Sequence, residues 1–230
     1  MALEKGSLVL LNYTARVKDT DEVIETTLEE DAKKFNVFDP TRTYEPRLVS
    51  VGEGWVLKGL DEALMNATIG EKMDVEVLPE KGFGERDPDK VRMISLRKLG
   101  DKADEIKVGD AIEIDDKVAI VRFIGSGRVQ LDYNHRLAGR TIGYVVEVLK
   151  QLEQDDEKIV ALVRRRLPVD QTKLKIMLSE TILDIELPNE HYMHEGLQII
   201  KRAVANDILK YVNTIRRIRF IETYEPQAQT

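Results

Sequence analysis

The chain has 230 residues, 42% of them hydrophobic and 33% charged, which is ample for a globular core in one or two domains. Its formal net charge of -7 argues against bulk attraction to nucleic acid or to an anionic membrane, and the absence of cysteine excludes disulfides and thiolate metal sites. No stretch approaches the roughly 18 apolar residues that a spanning helix needs. The first residues show neither a long apolar run nor a small-residue cleavage site. A cytoplasmic protein without membrane association is expected.

Residues 7–17 alternate, with Val9, Leu11, Tyr13, Ala15 and Val17 on one face, so Tyr13 points into whatever the sheet encloses. Thr20 and Asp21 turn the chain into a short strand over 23–27. Residues 28–36 read as a helical turn or two on a surface flap, broken at Asp39-Pro40 and Glu45-Pro46. Leu48, Val49 and Val51 form a short strand leading into the stretch that organises the chain, VGEGWVLKGLDEALMNATIGEKMDVEVLPEKGFG over 51–84. There, residues 55–64 predict a short helix opened by a glycine-rich turn. After Gly70, Met73, Val75 and Val77 alternate with Asp74 and Glu76 as a strand. Pro79 stops that strand, and residues 82–84 form a tight turn carrying the ring of Phe83. A small helix packed into a curled antiparallel sheet, with apolar side chains meeting in a shallow cup, is the architecture these patterns imply.

Residues 85–90 are charged and contain a proline, as a linker does. Strands are then expected over 91–96, 111–114, 117–124 and 128–131, with turns at Asp115-Asp116 and over 125–127. This small β module carries many apolar residues for its size: Met93, Ile94, Leu96, Val118, Ile120, Val121, Phe123 and Ile124. An exposed apolar patch marks a binding surface; burial in the module's own core is the competing reading. Residues 134–139 close the module, and Ile142, Tyr144, Val146 and Val148 alternate inward along a following strand. From residue 152 the pattern becomes α-β-β-α-β. Asp155 or Asp156 caps a helix stopped by Pro168, a hairpin turns at Ser179-Glu180, and Leu197, Ile200, Val204, Ile208 and Tyr211 stripe a second helix. A last strand spans 215–224.

The sequence G-x-x-x-x-K-G-L-D-E-A-L, followed by I-G-E-K and P-E-K-G-F-G, resembles the FKBP-type peptidyl-prolyl cis-trans isomerases, and within them the long archaeal SlyD-like class. The resemblance runs in order along the whole chain. It implies an α+β fold: an antiparallel half-barrel around a short helix (1–86 and 132–151), an inserted "insert in flap" β domain (87–131), and a C-terminal α-β-β-α-β domain (152–230) with a role in dimerisation. It implies prolyl isomerisation and chaperone activity on unfolded or proline-containing chains, with no cofactor and no metal. No histidine- and cysteine-rich tail like that of bacterial relatives is expected. Carried over by position, the cup consists of Tyr13, Glu25, Leu60, Phe83 and Tyr144, with Ile24, Leu48, Val56, Leu57, Leu137 and Ala138 contacting substrate. Ile24, Glu25, Leu60 and Phe83 depart from the common eukaryotic pattern, and Phe83 lacks a hydroxyl that is usual there.

Other groupings are weaker. His191 and His194, with Glu190 and Glu195, have a spacing that can bind a metal but no second cluster to complete it; a helix start is the reading preferred. His135 reads as orienting its loop. Trp55 reads as a half-buried residue at a helix start. The runs Arg164-Arg165-Arg166 and Arg216, Arg217 and Arg219 admit contact with phosphate, as in ribosomal RNA, or, more commonly, line exposed faces. The rival from another class is a holdase or assembly module whose cup does not catalyse.

Overall fold

The computed structural model describes residues 3–224, residues 101–104 by their backbone alone. The expected ends of the chain, 1–2 and 225–230, lie outside the described residues. The described residues form three sheets and three apolar clusters, one of which the first and third sheets share.

The first sheet is built on β1 (Leu8–Val17). Its run LVLL is apolar on both faces before it begins to alternate, the mark of a strand covered on two sides. Val9, Leu11, Tyr13, Ala15 and Val17 enter one core, whereas Leu8 and Leu10 pack into another. The strand pairs with β2 (Val23–Thr26) along its C-terminal half. Six-residue α1 (Glu29–Lys34) follows, and β3 (Arg47–Ser50) pairs with the N-terminal half of β1. Helix α2 (Lys58–Leu64) lies in the hollow of the sheet, against β4 (Lys72–Val77). At Gly59 the helix comes so near the strand that an added Cβ would fall 2.9 Å from Val77 Cγ1, so only glycine permits that approach.

The helix is shorter than the expected 55–64 because the preceding turn is held by side-chain bonds. Gly52 and Gly54 have φ of +73° and +68°, and both donate their backbone N–H to the carboxylate of Asp61, each at 2.8 Å. Residues 55–57 bridge this turn to α2.

The second sheet comprises β5 (Val91–Ser95), β6 (Ala111–Ile114), β7 (Lys117–Gly125) and β8 (Arg128–Asp132), in the order β5-β8-β7-β6, all antiparallel. Ala119, Val121, Val129 and Leu131 form its core, with Ile94, Leu96, Ile112 and Ile124 packed against them. The bulge between Val121 and Phe123 turns Phe123 to the opposite face, where its ring covers Gly125. The apolar excess is therefore split: part is buried, while Met93, Val118 and Phe123 are 46%, 64% and 50% exposed.

The chain leaves and re-enters this sheet at one clamp. Asp132, 1% exposed, accepts from Arg86, Arg122 and both nitrogens of Asn134. Asn134 in turn holds the backbone N–H and C=O of Asp87 at 2.9 Å each. Burial alone would raise the pKa of Asp132; these donors together hold it below the usual carboxylate range.

Strand β9 (Ile142–Gln151) returns to the first sheet between β1 and β4. Then follow α3 (Asp155–Arg166), β10 (Lys175–Ser179), β11 (Ile182–Glu186), α4 (Leu197–Tyr211) and β12 (Arg217–Ile221). The helix α3 begins after Gln154, whose side chain does not cap it; Asp155 instead accepts from Thr214 at 2.6 Å. The acids of its first turn act through the helix dipole. Strands β11 and β12 run parallel, joined through α4. The buried stripe of α4 is Leu197, Lys201, Val204 and Ile208. Lys201 is tolerated there because its ammonium pairs with Glu222 and lies 5.7 Å from the Phe220 ring. This third core takes in Leu8, Leu48 and Leu152 from the outer face of the first sheet.

Asp61→Ala would strand two partly buried N–H donors, and a loss of about 2–4 kcal/mol of stability is expected in chemical denaturation. Asp61→Asn, which keeps one acceptor oxygen, should lose less. A loss below about 1 kcal/mol for the alanine variant would mean that the turn is not held this way.

Candidate functional site

Strand alternation positions the first wall of the site. Tyr13 lies opposite Val146 and Ala15 opposite Tyr144, so the two tyrosines are diagonal neighbours on the inner face of β1 and β9. Their ring centroids are 5.8 Å apart and tilted by 53°. Leu60 of α2 joins the same cluster. Tyr13, Leu60 and Tyr144 are 3%, 1% and 7% exposed, and Leu137 from the 134–139 loop is buried with them. Ile24, Val56, Leu57 and Phe83 are only partly buried and pack around this floor.

Phe83 stacks flat on the imidazole of His135, with centroids 4.7 Å apart and planes 8° from parallel. His135 Nδ1 accepts the N–H of Leu137 at 3.2 Å. His135 thus sets the loop that carries Leu137, while its ring fixes the angle of Phe83. Ala138 is buried beside them without belonging to the apolar cluster. Leu48 sits on the other face of β3, in the core beneath α3. The structure therefore gathers Tyr13, Ile24, Val56, Leu57, Leu60, Phe83, Leu137 and Tyr144, and does not bring Leu48 to them.

The polar edge of the site contains a residue that sequence reasoning missed. Arg47 donates from Nη1 to the Tyr13 hydroxyl at 2.6 Å and to Glu25 Oε1 at 3.2 Å. Arg42 donates to the same glutamate oxygen at 2.8 Å. The signal was available: Arg47, Val49 and Val51 are two apart, so a cation stands on the face whose other members are core residues. Burial, and secondarily the negative charge of Glu25, push the Tyr13 pKa up to about 12 despite Arg47. Burial also raises Tyr144, with Tyr13 and Glu25 adding to it, and its hydroxyl has no hydrogen-bond partner among the described residues. Both phenols are neutral at physiological pH, the proton of Tyr13 facing the Glu25 carboxylate.

A cleft of about 650 Å³ opens from this polar edge rather than over the apolar floor. It is shared by Tyr13, Glu25 and Arg47 on one side and α3 on the other, and Leu48 lines it. Nothing in the arrangement supplies a nucleophile with a paired base. Among the described residues, no group of three or more histidine or acidic side chains is placed to hold a metal. His194 bonds the Glu195 carbonyl at 2.8 Å, and His191 lies in a short turn before Gly196 starts α4. Among the described residues no helix is long and apolar enough to cross a membrane. What the arrangement offers is a dry aromatic and aliphatic floor, a partly open apolar rim and a neutral hydroxyl at one edge.

Residues 1–95 match the family model for FKBP-type peptidyl-prolyl cis-trans isomerase. A short-type peptidyl-prolyl cis-trans isomerase of Methanocaldococcus jannaschii is 33% identical over 146 residues, 64% of this chain and 92% of that protein. The chain belongs to the FKBP-type peptidyl-prolyl cis-trans isomerases. The FKBP-type 16 kDa isomerase of Escherichia coli is 26% identical over 154 residues, covering 65% of this chain and 93% of its own. The SlyD isomerase of Helicobacter pylori is 28% identical over 134 residues, 55% of this chain and 70% of its own. Residues 155–225 match a separate family model, FKBP26_C-terminal. Among FKBP-type isomerases the activity is rotation about the X-Pro bond, which requires no cofactor, and this chain is such an enzyme.

The raised pKa of Tyr13 has a stability consequence. An acid whose folded value lies above its unfolded value of about 10 holds its proton more tightly when folded. Its contribution is complete below about pH 10 and is lost as pH rises toward about 12. Tyr13→Phe should flatten the decline in stability measured by denaturation across that interval; an unchanged slope would mean that Tyr13 titrates normally.

Proposed function

We propose that the X-Pro bond is twisted on the floor formed by Tyr13, Leu60 and Tyr144, with Ile24, Val56, Leu57, Phe83 and Leu137 enclosing the prolyl ring. The amide C–N bond has partial double-bond character and a rotation barrier of about 18–20 kcal/mol. Water stabilises the planar, charge-separated amide more than the twisted one. A floor whose three principal residues are at most 7% exposed removes that water and so favours the twisted state. The packing of Tyr13 against Tyr144 above Leu60 is the observation that carries this reading. Glu25 and Arg47 hold the Tyr13 hydroxyl at the rim, where it orients a substrate carbonyl. Leu48 does not touch the prolyl ring in this reading; it lines the neighbouring cleft.

The chain is read as three units: an isomerase domain over 1–86 and 132–151, an inserted β domain over 87–131, and a C-terminal α/β domain over 152–230. The insert acts as the chaperone part. Met93, Phe123 and Gln130 share a cross-strand row, and Val118 lies on the same outer face, which gives an apolar strip that can hold unfolded chains near the cup. The C-terminal unit pairs with a second copy. Its support is the exposure of Ile199 on α4 and of Met177 on the edge strand β10. Because Leu8, Leu48 and Leu152 belong to the core of that unit, deleting it would bare the sheet, and a surface change such as Ile199→Glu is the sounder probe.

The deciding experiment is exchange of a proline tetrapeptide followed by magnetisation transfer. Tyr144→Ala should lower kcat/KM by about tenfold or more, the equivalent of about 1.4 kcal/mol of transition-state stabilisation. An unchanged rate in a folded variant would move the site elsewhere. The triple change Met93→Ser, Val118→Ser and Phe123→Ser should leave that rate intact but slow the proline-limited refolding of a protein substrate. Equal loss on both substrates would remove the division of labour.

A further inference from the structure

We propose that the cleft between β3 and α3 is a second client subsite, which takes acidic residues a few positions along the chain from the isomerised proline. This inference rests on the cup being where the proline sits, since the cleft opens from the cup's polar edge at Tyr13, Glu25 and Arg47.

The first observation is charge. On a chain of net charge -7, six basic side chains line this one cleft: Arg42, Arg47, Lys150 and the run Arg164 to Arg166. Four acids answer them. Glu25 is shared by Arg42 and Arg47, Glu45 pairs with Arg164, Glu157 with Lys150, and Asp207 is shared by Arg165 and Arg166. Two positive charges are left over, in a concave site where water is partly excluded and charge acts over short distances.

The second observation is Arg165. Its guanidinium lies 3.6 Å from the Trp55 ring centroid, and its contact with Asp207 is long, 3.7 Å. Trp55 is itself fixed by the edge of Tyr211, with centroids 5.6 Å apart. The cation is thus held over the ring, with its donors incompletely used. Burial and the neighbouring Arg166 both act against its charge, which an incoming carboxylate would relieve.

The third observation separates a peptide from a nucleic acid. The stacked guanidinium covers the Trp55 face that a base would need, and the glutamates in the lining repel a continuous phosphate backbone. A volume of about 650 Å³ lies within the usual range for a ligand site. It suits a few residues of extended chain carrying spaced carboxylates.

The test uses the full-length protein and three proline peptides that differ only in two flanking positions: Glu, Ala or Lys, placed on either side of the proline in separate series. At low salt the glutamate peptide should show a KM about fivefold below the alanine peptide, with similar kcat, and the lysine peptide a KM above it. The preference on one side reports the direction in which the chain lies. It should fade at about 0.5 M salt. Arg165→Gln should abolish the preference while leaving the alanine peptide unchanged; Arg165→Lys should restore part of it. Equal KM values for all three peptides in the wild-type protein would overturn the proposal without any variant having to fold. So would a preference that survives Arg165→Gln. Displacement of the glutamate peptide by single-stranded RNA of equal charge at lower concentration would also overturn it, in favour of a nucleic-acid site. The alanine peptide reads the cup alone, so failure of the cup and failure of the cleft are separately visible.

Discussion

The antiparallel pairing of β1 with β9 is the constraint from which the candidate site, the second sheet and the elements after β9 take their positions. It joins residues 8–17 to residues 142–151, and every inner-face side chain depends on its register. A slip of one residue would turn Tyr144 away from Tyr13 and expose the face that now carries Val146 and Val148. The register is held because both strands are covered: Val9, Leu11, Val146 and Val148 are almost wholly buried on the inner side. At one end of the pair the chain departs into the second sheet, and at the other it leads into α3. The tyrosine pair, the second sheet and the cleft therefore lie at fixed places around a single ladder.

The first sheet serves two cores, and this explains how one enzyme domain acquires an extra wall. Its inner face forms the dry floor. Its outer face, through Leu8, Leu48 and Leu152, closes the core beneath α3. Arg47 stands at the boundary, its backbone in β3 and its guanidinium on the Tyr13 hydroxyl. The same short strand therefore presents a polar group to the cup and an apolar group to the C-terminal helices. This alternation brings a row of arginines on α3 beside the Tyr13 hydroxyl and Glu25.

Electrostatics in this protein is local rather than global. The chain is acidic overall, yet its basic residues are gathered by ion pairs: Arg219 with Asp184, Arg166 with Asp207, Arg86 and Arg122 with Asp132. Only Asp132 in this group is fully buried, and it compensates for its desolvation with four donors. It sits where two crossings of chain meet, which restrains how the second sheet leaves the first.

Much of the architecture was legible in the residues. Alternation over 7–17, through Met73, Val75 and Val77, and from Ile142 to Val148 foretold three strands and which tyrosines face inward, because a pleated strand sends successive side chains to opposite faces. The short turns at Asp115-Asp116 and 125–127 marked the hairpins of the insert. The pattern around Lys58-Gly59-Leu60 marked the helix that enters the inner core. The tertiary structure alone decided the rest. Both faces of β3 are used, so Leu48 and Val49 enter different cores. Arg47 became part of the site because Tyr13 and Glu25, distant in sequence, converge on it. Parallel pairing of β11 with β12, and the enclosure of a basic cleft by α3, depend on where separate elements dock. Local sequence dictates which face a side chain takes; only the packing of distant segments decides what that face meets.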